Sequence, residues 1–331
     1  MRKLFAAVFG RTETALLVAI LATAIVFSFS SPYFLTFSNF VNLIEAYSVM
    51  TILAAGVFVV LVSGGIDVSF TATAAATQYV AAYLIVQLDY PAAPALALAA
   101  ILGVALGCVN ALLTYYLRVV SIIVTIATSS IYYAFLIYFT NAEEIYNLPD
   151  WWSGRITFLR FATASGVVKI TLPIVVMVGV VLLTQYLMAW TRIGRQVYAL
   201  GGNPEAASRV GVGVLRIQLL AYGYLGFLAA VAGFVQAGRV HQAVPTAMAG
   251  QELNVLAVAI LGGASLVGGV GTVGGVGLAV LFLAVLQNGL NLIGVSSYFF
   301  GVVIGLAILV SVSMTAYAEH RGRKPFVARP A

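Results

Sequence analysis

Residues 92–117 read AAPALALAAILGVALGCVNALLTYYL, a stretch without one charged side chain. About 20 consecutive apolar residues are enough for a helix to cross the hydrocarbon core of a bilayer, and this stretch is longer. The whole chain is similarly apolar, because 62% of its 331 residues are hydrophobic and only 8% are charged. A soluble domain carries about 25% charged residues to cover its surface. The composition therefore predicts a protein solvated by lipid, and it excludes a disordered chain and a soluble enzyme.

Turn residues divide the chain into ten apolar segments, each of which we predict to be a transmembrane helix. These spans are about 14–29, 41–63, 68–88, 92–117, 119–140, 171–190, 215–236, 249–266, 272–293 and 298–317. The polar stretches between them are too short for soluble domains. We therefore expect one all-α polytopic membrane domain over residues 1–331. It has an outer loop at 141–170, a cytoplasmic loop at 191–214 and a cytoplasmic tail at 318–331.

The basic residues orient these spans. With the N-terminus in the cytoplasm, ten spans leave only 4 of the 16 basic residues outside, namely Arg155, Arg160, Lys169 and Arg239. This asymmetry is the one that the positive-inside rule expects, so both termini are predicted to be cytoplasmic. Residues 1–30 also share features with a signal peptide, but the charge asymmetry holds only if the first span is retained. The net charge of +6 is thus an orientation signal, and we predict no nucleic-acid partner.

The polar side chains within the spans are mostly uncharged. Lysine occurs only at 3, 169 and 324, so the carboxylate and lysine relay typical of ion pumps is absent from the sequence. Hydroxyls and amides can replace the lost hydration of a neutral polar solute, although many such groups only bond one helix to another. The candidate residues for a translocation pathway are Glu45, Asp67, Thr71, Thr125, Glu252, Asn254, Gln287, Asn288 and Asn291.

Two glycine-rich clusters, 63–67 and 262–275, indicate irregular or tightly packed backbone. The second contains Gly269-x-Gly271-x-x-Gly274, but the soluble strand and the later acidic residue of a dinucleotide site are missing. There is also no phosphate-binding loop, so we predict no cofactor on this chain. Asp67, beside the first cluster, could either cap the next helix or contact solute.

The cytoplasmic loop contains a compact helix signal. Asn203 is a good N-cap, Pro204 suits the first helical position and Glu205 complements the helix dipole. A helix of about seven residues is unstable alone in water, so it must pack on something. That support is either the protein's own membrane domain or a cytoplasmic partner. The residues that we expect to carry coupling to a motor subunit are Arg195, Asn203, Pro204, Glu205, Ala206, Ala207 and Arg209.

The outer loop carries acidic and aromatic residues at its start. They could cap the membrane interface, where tryptophan is enriched, or form a docking surface for a protein from outside. These residues are Glu143, Glu144, Asp150, Trp151 and Trp152. A single cysteine, Cys108, cannot form an internal disulfide, and two distant histidines do not indicate a metal site, so we predict neither.

Several motifs together resemble one known family. They are Ser63-Gly-Gly-Ile-Asp-Val-Ser69, Arg195-x-x-Tyr-Ala-x-Gly-Gly-Asn-Pro-Glu-Ala-Ala207, Glu252-Leu-Asn, Ile260-Leu-Gly-Gly-Ala-Ser-Leu-x-Gly-Gly-x-Gly-Thr272 and Gln287-Asn-Gly-Leu290. In this order they are similar to the ribose-type permeases of ATP-binding cassette (ABC) importers, whose architecture is also called ribose/vitamin B12-type. The resemblance covers about residues 40–310.

The resemblance implies a permease subunit in a bacterial inner membrane, with 203–209 as its coupling helix. Its partners would be a second permease, identical or related, two ATPase domains that hold ATP and Mg, and a periplasmic solute-binding protein. The family usually has Asp where Asn254 stands, Gly where Thr71 stands, and a Pro-rich stretch where 119–123 reads VVSII. These departures fit either a different solute or one half of a permease heterodimer.

The function expected from the sequence is therefore import of a small neutral sugar or sugar-like solute, by alternating access that partner ATPases drive. The alternative is a secondary transporter run by an ion gradient, with Glu45 or Glu252 carrying the ion. A membrane-embedded enzyme is disfavoured, because neither His241 nor His320 has a plausible serine partner within a span.

Overall fold

A computed structural model describes residues 11–152, 156–163, 166–303, 305, 306 and 309. Helices dominate this part of the chain. They are α1 (Arg11–Ser30), α2 (Phe37–Ala46), α3 (Ser48–Val62), α4 (Phe70–Ala82), α5 (Ala92–Leu117), α6 (Ser121–Thr140), α7 (Leu172–Trp190), α8 (Arg192–Gly202), α9 (Pro204–Arg209), α10 (Val214–Val240), α11 (Glu252–Leu261) and α12 (Val273–Leu292). A π-helical turn, Tyr83–Gln87, extends α4, and a 3-10 turn, Ser297–Phe299, follows α12.

Six of the described helices are long and apolar enough to cross a membrane, namely α1, α5, α6, α7, α10 and α12. The pair α2 and α3 becomes a seventh span if it is counted as one helix, although it is bent by 49°. The bend lies at Tyr47, whose φ of −96° and ψ of 6° depart from helical values. The membrane-spanning prediction is thus confirmed, but the described residues do not confirm a count of ten.

The three remaining predicted spans differ from simple helices. Residues 68–88 form α4 and its π-helical turn, and residues 249–266 contain only the ten-residue α11. Helix α11 stops early because Gly262 and Gly263 follow it, and Gly263 has a φ of +91°. A hydropathy window counts the apolar residues beyond that glycine as if the helix continued. Of the tenth span, residues 300–303, 305, 306 and 309 are helical, and the rest lies outside the described residues.

Helices α3 and α10 form the centre of the molecule. Almost every residue of α3 from Ile52 to Val62 is buried, and α10 packs against α3, α4 and α5. The contact between α5 and α10 is made by glycines: a Cβ at Gly103 would lie 2.4 Å from the carbonyl oxygen of Gly226. A Cβ at Gly107 would lie 2.2 Å from the carbonyl oxygen of Tyr222. Backbones approach this closely where small residues recur every fourth position, as in many membrane helix pairs.

The outer loop contains the one departure from an all-α fold among the described residues. Strands β1 (Thr157–Thr163) and β2 (Gly166–Thr171) pair as an antiparallel hairpin, in which Arg160 lies opposite Lys169. The sequence predicts only an outer loop at 141–170, without strands. The strands form because β1 contains Thr and Phe and β2 contains Val, Ile and Thr, and such residues favour extended backbone. Strand β2 packs near α2, so the hairpin covers one side of that helix.

Candidate functional site

A polar cavity of about 400 Å³ lies where the bend between α2 and α3 meets the end of α10, the start of α11 and α12. Its volume is within the range of small-molecule sites. Apolar walls come from residues such as Met50, Leu53 and Leu283. The polar lining residues are Tyr47, Gln236, Arg239, Gln251, Asn254 and Gln287. Amides dominate this set, and each amide offers both donors and an acceptor to a ligand.

The bend at Tyr47 is tied to this cavity by two hydrogen bonds. The Tyr47 hydroxyl donates to Oε1 of Gln287. Nη1 of Arg239 donates to the carbonyl oxygen of Ala46, at 3.1 Å. Glu45 precedes Ala46, and its charge acts on Arg239. The cavity is therefore lined by a guanidinium that is hydrogen-bonded to the backbone at the bend, and the acidic Glu45 is the residue before the lining residue Ala46.

The predicted pathway residues separate into groups. Asn254 and Gln287 line the cavity, and Glu45 and Glu252 each lie one residue from a lining residue. Oγ1 of Thr71 donates to Oε1 of Glu252 at 2.5 Å, which joins the start of α4 to the start of α11. The structure thus brings four of the predicted pathway residues to or beside the cavity, whereas the sequence alone does not show that these segments meet.

Asp67 and Thr125 belong to a buried turn away from the cavity lining. Oδ1 of Asp67 accepts hydrogen bonds from the backbone N–H and the hydroxyl of Ser69, both at 2.7 Å. Nδ2 of Asn110 donates to Oγ of Ser69 at 2.6 Å, and Oγ1 of Thr125 accepts from the backbone N–H of Val68 at 3.3 Å. Asp67 therefore holds the turn before α4 rather than capping the helix directly, and the turn is fastened to α5 and α6.

The other two amides of α12 lie elsewhere. Asn288 exchanges hydrogen bonds with Asn39 of α2, at 2.8 and 3.0 Å. Asn291 is exposed and does not line the cavity, so it does not share the cavity with Gln287, which lies four positions earlier on α12. One helical turn separates the two residues by about 6 Å along the axis, and the cavity reaches only the first of them.

Sequence reasoning missed Tyr47, Gln236, Arg239 and Gln251 as lining residues. Arg239 was counted only as an outer charge, yet it is half-buried in the structure. For two of these residues the sequence does contain a signal, because Tyr47 and Gln251 lie within two residues of the predicted pathway residues Glu45 and Glu252. Gln236 and Arg239 carry no comparable signal, since only the tertiary structure brings the end of α10 to the bend.

The predicted short helix is present as α9. Its N-cap is Asn203, whose Oδ1 accepts the backbone N–H of Ala206 at 2.9 Å, and Pro204 is its first residue. Ala207 is its only buried residue, at 3% exposure, while Val210 just beyond it is 80% exposed. Helix α8, which carries Arg195, precedes it and was not predicted. Most of α9 thus faces away from the molecule and is free to contact another protein.

Glycines connect α8, and through it α9, to the buried part of the membrane domain. At the end of α8, a Cβ on Gly201 would lie 1.9 Å from the carbonyl oxygen of Val62 and 2.6 Å from the backbone nitrogen of Gly269. The backbone N–H of Gly269 donates to the same Val62 oxygen at 2.9 Å. The Tyr198 hydroxyl donates to the carbonyl oxygen of Gly271 at 2.8 Å. We call the contact of Gly201 with Val62 and Gly269 the glycine junction.

The five residues predicted for docking differ in their exposure. Glu143, Asp150 and Trp151 are exposed, and Glu144 accepts a hydrogen bond from the Tyr146 hydroxyl at 2.7 Å. Trp152, however, is only 1% exposed, and its indole N–H donates to the carbonyl oxygen of Phe234 at 3.0 Å. Its ring also stacks on the Phe234 ring. Trp152 therefore anchors the outer loop to α10 and, contrary to expectation, offers no docking surface.

Comparison of the sequence with known proteins places this chain in a family. Residues 39–312 match the family described as branched-chain amino acid transport system / permease component. The chain belongs to this permease family. Its relatives include the ribose import permease protein RbsC of Escherichia coli (strain K12), 34% identical over 300 residues, or 91% of this chain and 92% of the relative.

Two further relatives of the permease have different names. The D-allose transport system permease protein AlsC of the same strain is 31% identical over 94% of this chain and 93% of its own. The probable ABC transporter permease protein y4mJ of Sinorhizobium fredii (strain NBRC 101917 / NGR234) is 31% identical over 94% of this chain and 91% of its own. No solved structure matches significantly. The resemblance to ribose-type ABC permeases is thereby confirmed.

Proposed function

We propose that this permease is the membrane subunit of an ABC importer that carries a small neutral sugar or sugar-like solute across a bacterial inner membrane. The observation that carries the proposal is the polar cavity, whose amides suit a ligand rich in hydroxyl groups. Relatives named for ribose and allose support the same solute class. The proposed pathway centres on Asn254 and Gln287, which line the cavity.

The permease itself is not an enzyme, as its relatives are permease proteins. Partner ATPases, with their own ATP and Mg, are proposed to bind α9 and to drive alternating access. The exposed face of α9, and the glycine junction that holds the preceding helix α8 against α3, support this role. A second permease and a solute-binding protein complete the proposed assembly, with both termini of this chain in the cytoplasm. The binding protein is proposed to dock on the outer loop, where Glu143, Asp150 and Trp151 are exposed.

The proposal is tested by uptake of labelled ribose and allose into right-side-out membrane vesicles that contain the assembled importer. We expect uptake to require ATP inside the vesicles and to continue when a protonophore removes the proton gradient. Glu252→Gln is expected to keep uptake near wild type, because an amide oxygen also accepts the Thr71 hydrogen bond. Uptake that needs no ATP and is lost in Glu252→Gln would favour the ion-gradient transporter.

The coupling role of α9 is tested by the double variant Glu205→Lys, Ala206→Asp. Both residues are exposed, so the protein should still assemble in the membrane. The double variant replaces an acid with a base at 205 and adds an acid at 206, so it disturbs any surface that fits this helix. We expect solute-stimulated ATPase activity of the purified assembly to be lost. Ser208→Ala, on the same helix, is the control, and equal stimulation in both variants would show that α9 does not couple.

A further inference from the structure

A second cleft, of about 800 Å³, opens between α5, α7, α8 and α10. It is distinct from the polar cavity and shares no lining residue with it. Its walls are apolar, with Val104 and Cys108 on α5, Leu187 on α7 and Phe227 on α10. Arg216 is the one charged residue among the described residues that line it.

The cleft exists because α10 is held differently by its two neighbours. Helix α5 lies against α10 backbone to backbone at Gly103 and Gly226. Helix α7 reaches α10 through a longer contact, in which the hydroxyls of Thr184 and Tyr224 are 2.7 Å apart. The cleft lies beside both contacts, since its lining includes Val104, next to Gly103 on α5, and Tyr224 on α10.

This space lies among three helices that cross the membrane, so it has to be filled. Its apolar walls offer water few hydrogen-bond partners, and an apolar cavity that stays empty loses dispersion contacts on all sides. An acyl chain from the surrounding bilayer fits both the shape and the chemistry. Two arginines indicate that the other end of this occupant is anionic. Arg216 is exposed in the first turn of α10, and the exposed Arg192 precedes Ile193, which also lines the cleft.

We propose that this cleft binds one anionic phospholipid, with an acyl chain beside Val104 and Cys108 and the phosphate at Arg216. Basic pockets between membrane helices on the cytoplasmic side are known to hold anionic headgroups. A helix of a partner protein in the same place would need an acidic side chain opposite Arg216 in addition to an apolar face. One anionic lipid fills the cleft with its acyl chain and pairs the Arg216 charge with its phosphate.

Native mass spectrometry tests the proposal. The full chain is purified in mild detergent with its copurifying subunits, and equal amounts of phosphatidylglycerol and phosphatidylcholine with matched acyl chains are added. We expect phosphatidylglycerol to be retained roughly fivefold over phosphatidylcholine, at one molecule per permease chain. Arg216→Gln is expected to remove this preference, whereas Arg118→Gln, another exposed arginine outside the cleft, keeps it. Equal retention of both lipids by wild type, or an unchanged preference in Arg216→Gln, would overturn the proposal.

Steric filling gives a matched pair of variants. Val104→Trp places a large side chain in the cleft, whereas Ile101→Trp places the same side chain on the lipid-facing side of α5. We expect the first variant to lose the bound lipid and the second to retain it. Loss in both variants, or in neither, contradicts a lipid in this cleft.

Cys108 supplies an independent readout that does not depend on Val104→Trp folding. It is the only cysteine of the chain, so a hydrophobic maleimide labels one site. In bilayer nanodiscs, phosphatidylglycerol is expected to slow this labelling roughly threefold relative to phosphatidylcholine in wild type, and not in Arg216→Gln. Protection of Cys108 that is equal in both lipids and ends when the subunits dissociate would assign the cleft to a partner helix. Protection of Cys108 by inorganic phosphate alone would exclude the acyl chain. Either result overturns the proposal.

Discussion

Gly201→Ala is expected to reduce solute uptake on the order of tenfold or more, since overpacking a tight contact costs about 1–3 kcal/mol. The added Cβ would lie 1.9 Å from the carbonyl oxygen of Val62 and 2.6 Å from the backbone nitrogen of Gly269. Both atoms are backbone, so no side chain can rotate to make room. The end of α8 must separate from the membrane core, and a force applied to α9 then no longer reaches α3.

The neighbouring glycine is the control for this prediction. A Cβ at Gly202 would meet nothing within 4 Å, and alanine favours helix more than glycine does. Gly202→Ala should therefore transport like wild type. Uptake is measured in vesicles and divided by the amount of permease in the membrane, and the melting temperature of each purified variant is recorded beside it. Equal uptake and equal melting temperatures in the two variants would show that the glycine junction is not a tight contact.

Gln287→Leu is the second variant with a large expected effect. Gln287 lines the polar cavity and accepts the hydrogen bond of the Tyr47 hydroxyl. Leucine has a similar size but cannot accept, so the tyrosine hydroxyl and a solute hydroxyl both lose a partner. Leaving one buried polar group unpaired costs about 1–3 kcal/mol, so uptake should fall on the order of tenfold or more.

Asn291→Leu, on the same helix, is the matched control. Asn291 is exposed and outside the cavity lining, so this variant should keep most of its uptake. The comparison separates a pathway role from a general effect of removing an amide from α12. If the two variants lose uptake equally, the cavity is not the solute site. If neither does, the amide of Gln287 only supports the bend at Tyr47.

The local features of this fold could be predicted from sequence because they depend on neighbours in the chain. The Asn203 cap and Pro204 define α9 within a few residues, and apolar runs locate the six long helices. The polar cavity is different, because Arg239 reaches the bend only through the path of α10. The early stop of α11 depends on the positive φ of Gly263, which hydropathy does not record. The burial of Trp152 depends on Phe234, eighty-two positions along the chain.

The contact between α5 and α10 constrains how this permease can change shape. At Gly103 and Gly226 the two backbones touch, so there is no layer of side chains that could shear or repack. The two helices must travel as a single rigid body. A pair of spin labels on α5 and α10 should report one constant separation in every nucleotide state. This pair is therefore the natural frame of reference against which the displacements of α3, α7 and α9 can be measured.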